Sequence, residues 1–233
     1  MNILISKLLL IAIAPAISIA IVVYISDKYE KEPIHLLIKT FILGALSVIP
    51  TLIVERALTI FNIFPGLIGV FYTSFIVAGF TEEFFKRSVI VNFIYKNKNY
   101  NERLDGIVYS IFSALGFATI ENIMYVVFRF NYNAYVGLYR GILSVPAHCI
   151  FAVSMGYYLS LAKYSKDEVK KRSYLRKSLY IPVILHGIFD FILMSNVPLY
   201  SILFIPYAIY LWRSNQKRID RYILESKNNN EDK

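Results

Sequence analysis

The chain is predicted to be an all-α, polytopic transmembrane helix bundle with about seven spans. Two observations carry this. Its 233 residues are 57% hydrophobic and only 18% charged, with a mean hydropathy of +0.51, too apolar for a soluble domain of this length. The apolar residues also recur in runs of about 20, the length that crosses roughly 30 Å of hydrocarbon. The net charge of +9 lies in short tracts between these runs, which places it beside anionic lipid rather than nucleic acid. Cys149 stands alone inside an apolar run, so a disulfide framework is excluded and a packing role is expected.

The first span is expected over residues 3–25. Without a basic amino-terminal cluster or a convincing cleavage site it reads as a retained helix rather than a signal peptide. The turn Asp27-Lys28-Tyr29-Glu30-Lys31-Glu32-Pro33 ends it with charge and a proline. Span two covers 34–54 and span three 67–95, separated by a loop at 62–66. A polar loop at 96–103 precedes Asp105-Gly106, whose aspartate suits the positive end of the helix dipole of span four, 107–128. Span five covers 141–161, a basic loop 163–177, span six 179–193 and span seven 199–212. Residues 1–213 are read as one membrane domain and 214–233 as a polar cytoplasmic tail, frayed or disordered at its end.

Lysines and arginines are retained on the cytoplasmic side. They concentrate after spans one, three and five and in the tail, including Lys96, Lys98, Lys170, Lys171, Arg172, Arg176, Lys177, Arg218 and Arg221, against Arg56, Arg129 and Arg140 on the alternate loops. This predicts an outside amino terminus and an inside carboxyl terminus.

Ionised groups inside a bilayer cost at least about 2.5–3.5 kcal/mol each and must face a partner or a wet cavity. Span three carries Thr81-Glu82-Glu83-Phe84-Phe85-Lys86-Arg87, where helical spacing sets Glu82 over Lys86 and Glu83 over Arg87. Span four carries Glu121-Asn122, span five His148 after Pro146, and span six His186 and Asp190 at i,i+4, so that the aspartate can fix the imidazole tautomer. Each feature alone also suits an ion pair, a structural histidine or a proton relay. Acids and histidines from four helices are satisfied jointly only by converging, and Glu82, Glu121, His148 and His186 are expected at a common depth in the outer half of the bilayer. Such a cluster permits peptide hydrolysis: a glutamate activates water and then protonates the leaving amine, while imidazoles hold the oxyanion or a divalent metal. No GxSxG or HExxH occurs, which argues against the ordinary serine and zincin routes. A proton-coupled transporter and a non-catalytic membrane scaffold are the competing readings; the lack of internal repeats counts against transport.

At these residues the sequence resembles the PrsW family of bacterial intramembrane proteases, within the superfamily of CAAX prenyl endopeptidases and bacteriocin-processing proteins. The shared motifs are Glu82-Glu83-Phe84-Phe85-Lys86, Phe117 to Glu121 with Asn122, and His186-Gly187-Ile188-Phe189-Asp190. The 27–33 turn, Asp105-Gly106 and Pro146-Ala147-His148 agree as well. The resemblance implies a multi-pass protein of the bacterial cell membrane that makes the first cleavage in a single-pass anti-sigma factor, its partners being that substrate and the lipid bilayer, with no nucleic acid. The implied catalytic set is Glu82, Glu83, Glu121, His148, His186 and Asp190, supported by Lys86, Arg87 and Asn122. It leaves open whether a divalent metal such as zinc is required; Glu121, His148 and His186 are the expected ligands if one is. The wider superfamily commonly has histidine where this chain has Glu121 and often asparagine where it has Asp190.

Overall fold

A computed structural model describes residues 3–129 and 134–231. Among these there is no strand; the chain forms α1 (Ile3–Ser26), α2 (Ile34–Leu46), α3 (Val48–Ile60), α4 (Gly66–Phe71), α5 (Thr81–Val89), α6 (Arg103–Ile123), α7 (Ala134–Ile142), α8 (Ser144–Lys163), α9 (Glu168–Met194) and α10 (Pro198–Glu231). Three π-helical segments, Tyr72–Phe80, Ile90–Ile94 and Met124–Arg129, join or extend them. Among the described residues, six helical stretches are long and apolar enough to cross a membrane: Ile5–Ser26, Ile34–Ile60, Gly66–Ile94, Arg103–Arg129, Tyr139–Lys163 and Glu168–Met194. The expected seventh span falls in the first half of α10, where Leu199, Ile202, Leu203, Ile205 and Trp212 are exposed, as lipid-facing residues should be.

Helix α6 is the axis of the bundle. Its residues from Leu104 to Thr119 are all buried, and it packs on α8, α2 and α1. Close approach to α8 depends on small residues: a Cβ on Gly156 would collide with the backbone carbonyl of Gly106. This is how membrane helices gain dispersion energy where lipid offers no hydrophobic drive. The start of α6 is held by Asp105, whose Oδ2 accepts from the backbone N–H groups of Asn101 at 2.7 Å and Glu102 at 2.8 Å, satisfying donors left free at a helix start.

Two expectations are corrected. The basic stretch read as a loop up to residue 177 is helical from Glu168 onward, because Asp167 caps it by accepting from Val169 and Lys170. The polar tail is likewise not frayed over its described length: α10 continues to Glu231, tied back to the bundle by an ion pair between Arg103 and Glu225 at 3.1 Å. Residues 232–233 of that tail lie outside the described residues.

Candidate active site

The glutamate pair sits at the first turn of α5, directly after the π-helical segment Tyr72–Phe80. There the Thr81 hydroxyl bonds the carbonyl of Ile76, five residues back. A π-turn inserts a residue into helical register and re-aims the side chains beyond it. The neighbouring α9 comes unusually close to this segment, since a Cβ on Gly187 would enter the ring of Phe75 and one on Gly79 would lie 3.2 Å from the carbonyl oxygen of Val183. That contact brings His186 to the glutamates.

Lys86 is the hub. Its ammonium donates to Glu82 Oε2 and Glu83 Oε1, each at 2.9 Å, and lies 2.9 Å from His148 Nδ1. An ammonium has three protons and no acceptor, so these three partners saturate it and make His148 Nδ1 an acceptor. The other nitrogen, Nε2, then donates to Glu121 Oε2 at 2.9 Å. Phe117 presents its ring 4.3 Å from the same ammonium, adding a cation–π contact. His186 is flanked by two carboxylates, with Nδ1 3.0 Å from Glu83 Oε1 and Nε2 3.4 Å from Asp190 Oδ2. The ring of Phe151 stacks on it at 5.0 Å.

All six expected catalytic residues therefore come together. Glu82, Glu121, His148, His186 and Asp190 line one cavity of about 760 Å³. Glu83, 1% exposed, lies behind it. Asn122 takes a structural place, donating to the Ala12 carbonyl at 2.9 Å. Arg87 departs from expectation: its guanidinium donates to Ser178 Oγ at 2.8 Å and to the Leu175 carbonyl at 3.1 Å, and it forms no ion pair with Glu83. Helical spacing allows either base at Glu83; the acceptors that Ser178 and Leu175 of α9 offer draw Arg87 away and leave both acids to Lys86.

One residue of the site was counted in the sequence only as a loop charge. Arg140 pairs with Glu121 Oε1 at 2.9 Å, donates to Asn122 Oδ1 at 3.0 Å, and lies 3.9 Å over the ring of Tyr125. Its place at the edge of an apolar run was the available signal. Glu55 on α3, likewise passed over, also lines the cavity.

Residues 32–211 match the PrsW family intramembrane metalloprotease domain. The chain belongs to the PrsW family. A protease PrsW of Clostridioides difficile (strain 630) is 42% identical over 221 residues, 94% of this chain and 93% of its own. Those of Bacillus subtilis (strain 168) and Shouchella clausii (strain KSM-K16) are each 36% identical, over 86% and 88% of this chain and 88% and 92% of theirs. No solved structure matches it significantly. As a PrsW family member with six membrane-length apolar helices among its described residues, the chain is a multi-pass membrane peptidase.

The family description includes a metal, and the donor set fits one in type and spacing. Glu82, Glu83, His148 and His186 each offer a ligand atom, all within 4.8 Å of one another, and carboxylates with imidazoles suit zinc. This set differs from the expected ligands, because Glu121 bonds His148 from the far side and the two glutamates of α5 take its place. The Lys86 ammonium already holds three of the four residues, so a metal drawing on all of them requires Lys86 to withdraw.

Proposed function

We propose that this peptidase makes the first cleavage in a single-pass anti-sigma factor, initiating release of an extracytoplasmic-function sigma factor under envelope stress. In this reading the amino terminus is outside and the scissile bond lies in the outer half of the bilayer. The observation that carries the peptidase site is the convergence of Glu82, Glu83, His148 and His186 beside a cavity of about 760 Å³, large enough for a stretch of extended peptide. The anti-sigma substrate is supported by the PrsW resemblance.

Glu82 is the general base, since of the α5 pair it is the one that lines the cavity. It takes a proton from water as the water attacks the scissile carbonyl, and returns that proton to the leaving amine. Glu83 positions Lys86 and His186 from behind. With carboxylates at both ring nitrogens, His186 carries two protons when those acids are ionised. Its Nε2–H, held by Asp190 only at 3.4 Å, turns to the developing oxyanion. The Lys86 charge offsets the growing negative charge across the cluster. With Glu82 kept as the base, Glu83, His148 and His186 would hold a divalent metal such as zinc, which would supply Lewis-acid polarisation of a carbonyl or water.

The test is cleavage of a co-expressed single-pass anti-sigma factor in membranes. Glu82→Gln and His186→Ala are each expected to lower the rate by about 10²–10⁴-fold. Undiminished processing by these variants would refute the site, and an uncut anti-sigma factor in the presence of another cleaved membrane substrate would refute the substrate class.

A further inference from the structure

Among the described residues, Glu55 is the acid lining this cavity that has no ion-pair partner. Glu82 and Glu83 are held by Lys86, Glu121 by Arg140 and His148, and Asp190 by His186. Among the described residues, no ion pair or side-chain hydrogen bond reaches the Glu55 carboxylate, although its backbone carbonyl accepts from Thr59 at 2.7 Å. It is half-buried, lines the same cavity as Glu82 and Glu121, and lies within electrostatic reach of both. This carboxylate meets the like charges of Glu82 and Glu121 and the opposite charges of Lys86 and His186, yet neither cation pairs with it directly, so a cation brought to it is favoured. The α3 wall of the cavity is made by Val48, Thr51, Leu52 and Glu55, and with the Thr51 hydroxyl engaged by the Ser47 carbonyl at 2.8 Å, Glu55 is the charged group of that wall.

We propose that Glu55 is a specificity-determining residue that receives a lysine or arginine side chain of the substrate. The proposal rests on the reading of this cavity as the peptidase site. Glu55 lies five residues before the end of α3 at Ile60, about 7.5 Å along the helix. The recognised basic residue lays its aliphatic stem along the cavity wall and brings its charge to the carboxylate. Binding there cancels the repulsion between Glu55 and the catalytic acids, so a substrate bearing the cation is favoured over one bearing a neutral residue of the same length.

The experiment uses the full chain in lipid vesicles and a single-pass substrate that it cuts, with Lys, Gln or Glu scanned through about two helical turns on each side of the cleaved bond. Wild type is expected to prefer Lys to Gln at one position by about tenfold in kcat/KM, the scale of one desolvated charge contact. In Glu55→Gln that ratio falls to near one, in Glu55→Asp it is partly kept, and in Glu55→Lys the preference moves to Glu at the same position. Wild-type ratios in Glu55→Gln overturn the proposal. If Glu55→Gln cuts nothing, the comparison is made as binding on a Glu83→Gln background, where Glu55→Gln leaving the Lys-over-Gln affinity ratio intact overturns it equally. Loss of cleavage in Glu82→Gln with unaltered ratios in the Glu55 variants rejects the role of Glu55 alone, whereas full cleavage by Glu82→Gln and His186→Ala rejects the site on which it rests.

Discussion

Lys86 shows how a buried charge is made tolerable. It is 1% exposed, and each of its three protons has an acceptor at 2.9 Å. Removing it takes the direct cation from Glu82 and leaves Glu83 with His186 alone, so Lys86→Met is expected to destabilise the protein by about 3–5 kcal/mol, read as a lower melting temperature in detergent. Glu83→Gln removes one of the repelling acids, so the double variant should lose less than the sum of the single ones. Strict additivity would show that Lys86 is not the hub. The Glu82–Lys86 contact was legible from i,i+4 spacing. The capture of Glu83 by the same lysine was not, because spacing gave Glu83 an equally good partner in Arg87, and only the contact of Arg87 with Ser178 on α9 decides between them.

At the scale of elements, two of the acid-bearing helices of the site, α5 and α6, adjoin π-turns, Tyr72–Phe80 before α5 and Met124–Arg129 after Glu121. Such turns recur where a helix must re-aim a side chain, and hydropathy does not reveal them. The other half of α6 carries a second polar cluster, whose Tyr109 is about 18 Å from Glu121 by helical rise. There the Tyr109 hydroxyl donates to Glu32 Oε2 and Asp27 Oδ2 accepts from the Glu32 N–H at 3.3 Å. Burial pushes Asp27 up to about 6 and both Glu32 and Glu102 up to about 7. Raised carboxyl values mean that the folded state binds protons more tightly than the unfolded chain. The resulting stabilisation is complete below the ordinary carboxylate range and is lost as pH rises through about 6–7. The melting temperature of the solubilised protein should therefore fall between pH 5 and 8, with a shallower fall in Glu32→Gln. An identical slope in the two proteins would contradict the assignment to Glu32.

For the whole molecule, orientation follows from charge rather than from any one contact. Lys170, Lys171, Arg172, Arg176 and Lys177 on α9 and Arg218 and Arg221 on α10 are expected on the cytoplasmic side. A reporter fused after residue 233, or cysteine labelling of the 164–167 turn in intact cells, should place both inside. External labelling of either would reverse the topology, and with it the face on which the substrate is cut.

Hydropathy is a local property, summed over about twenty residues with no knowledge of neighbours. The order of residues alone was therefore enough to define the helices that span the membrane, and to mark Glu82, Glu83, Glu121, His148, His186 and Asp190 as polar groups that had to converge. Which charge serves which acid depends on helix rotation and on separations that differ by a few ångströms. Those were set by tertiary packing, through the π-turns and through glycines such as Gly187 that let α9 reach α5. The same packing turned Arg140 from a loop charge into the partner of Glu121 and set Glu55 in the cavity wall. Neither outcome was readable from spacing along a single helix, because both residues meet the site across helix boundaries.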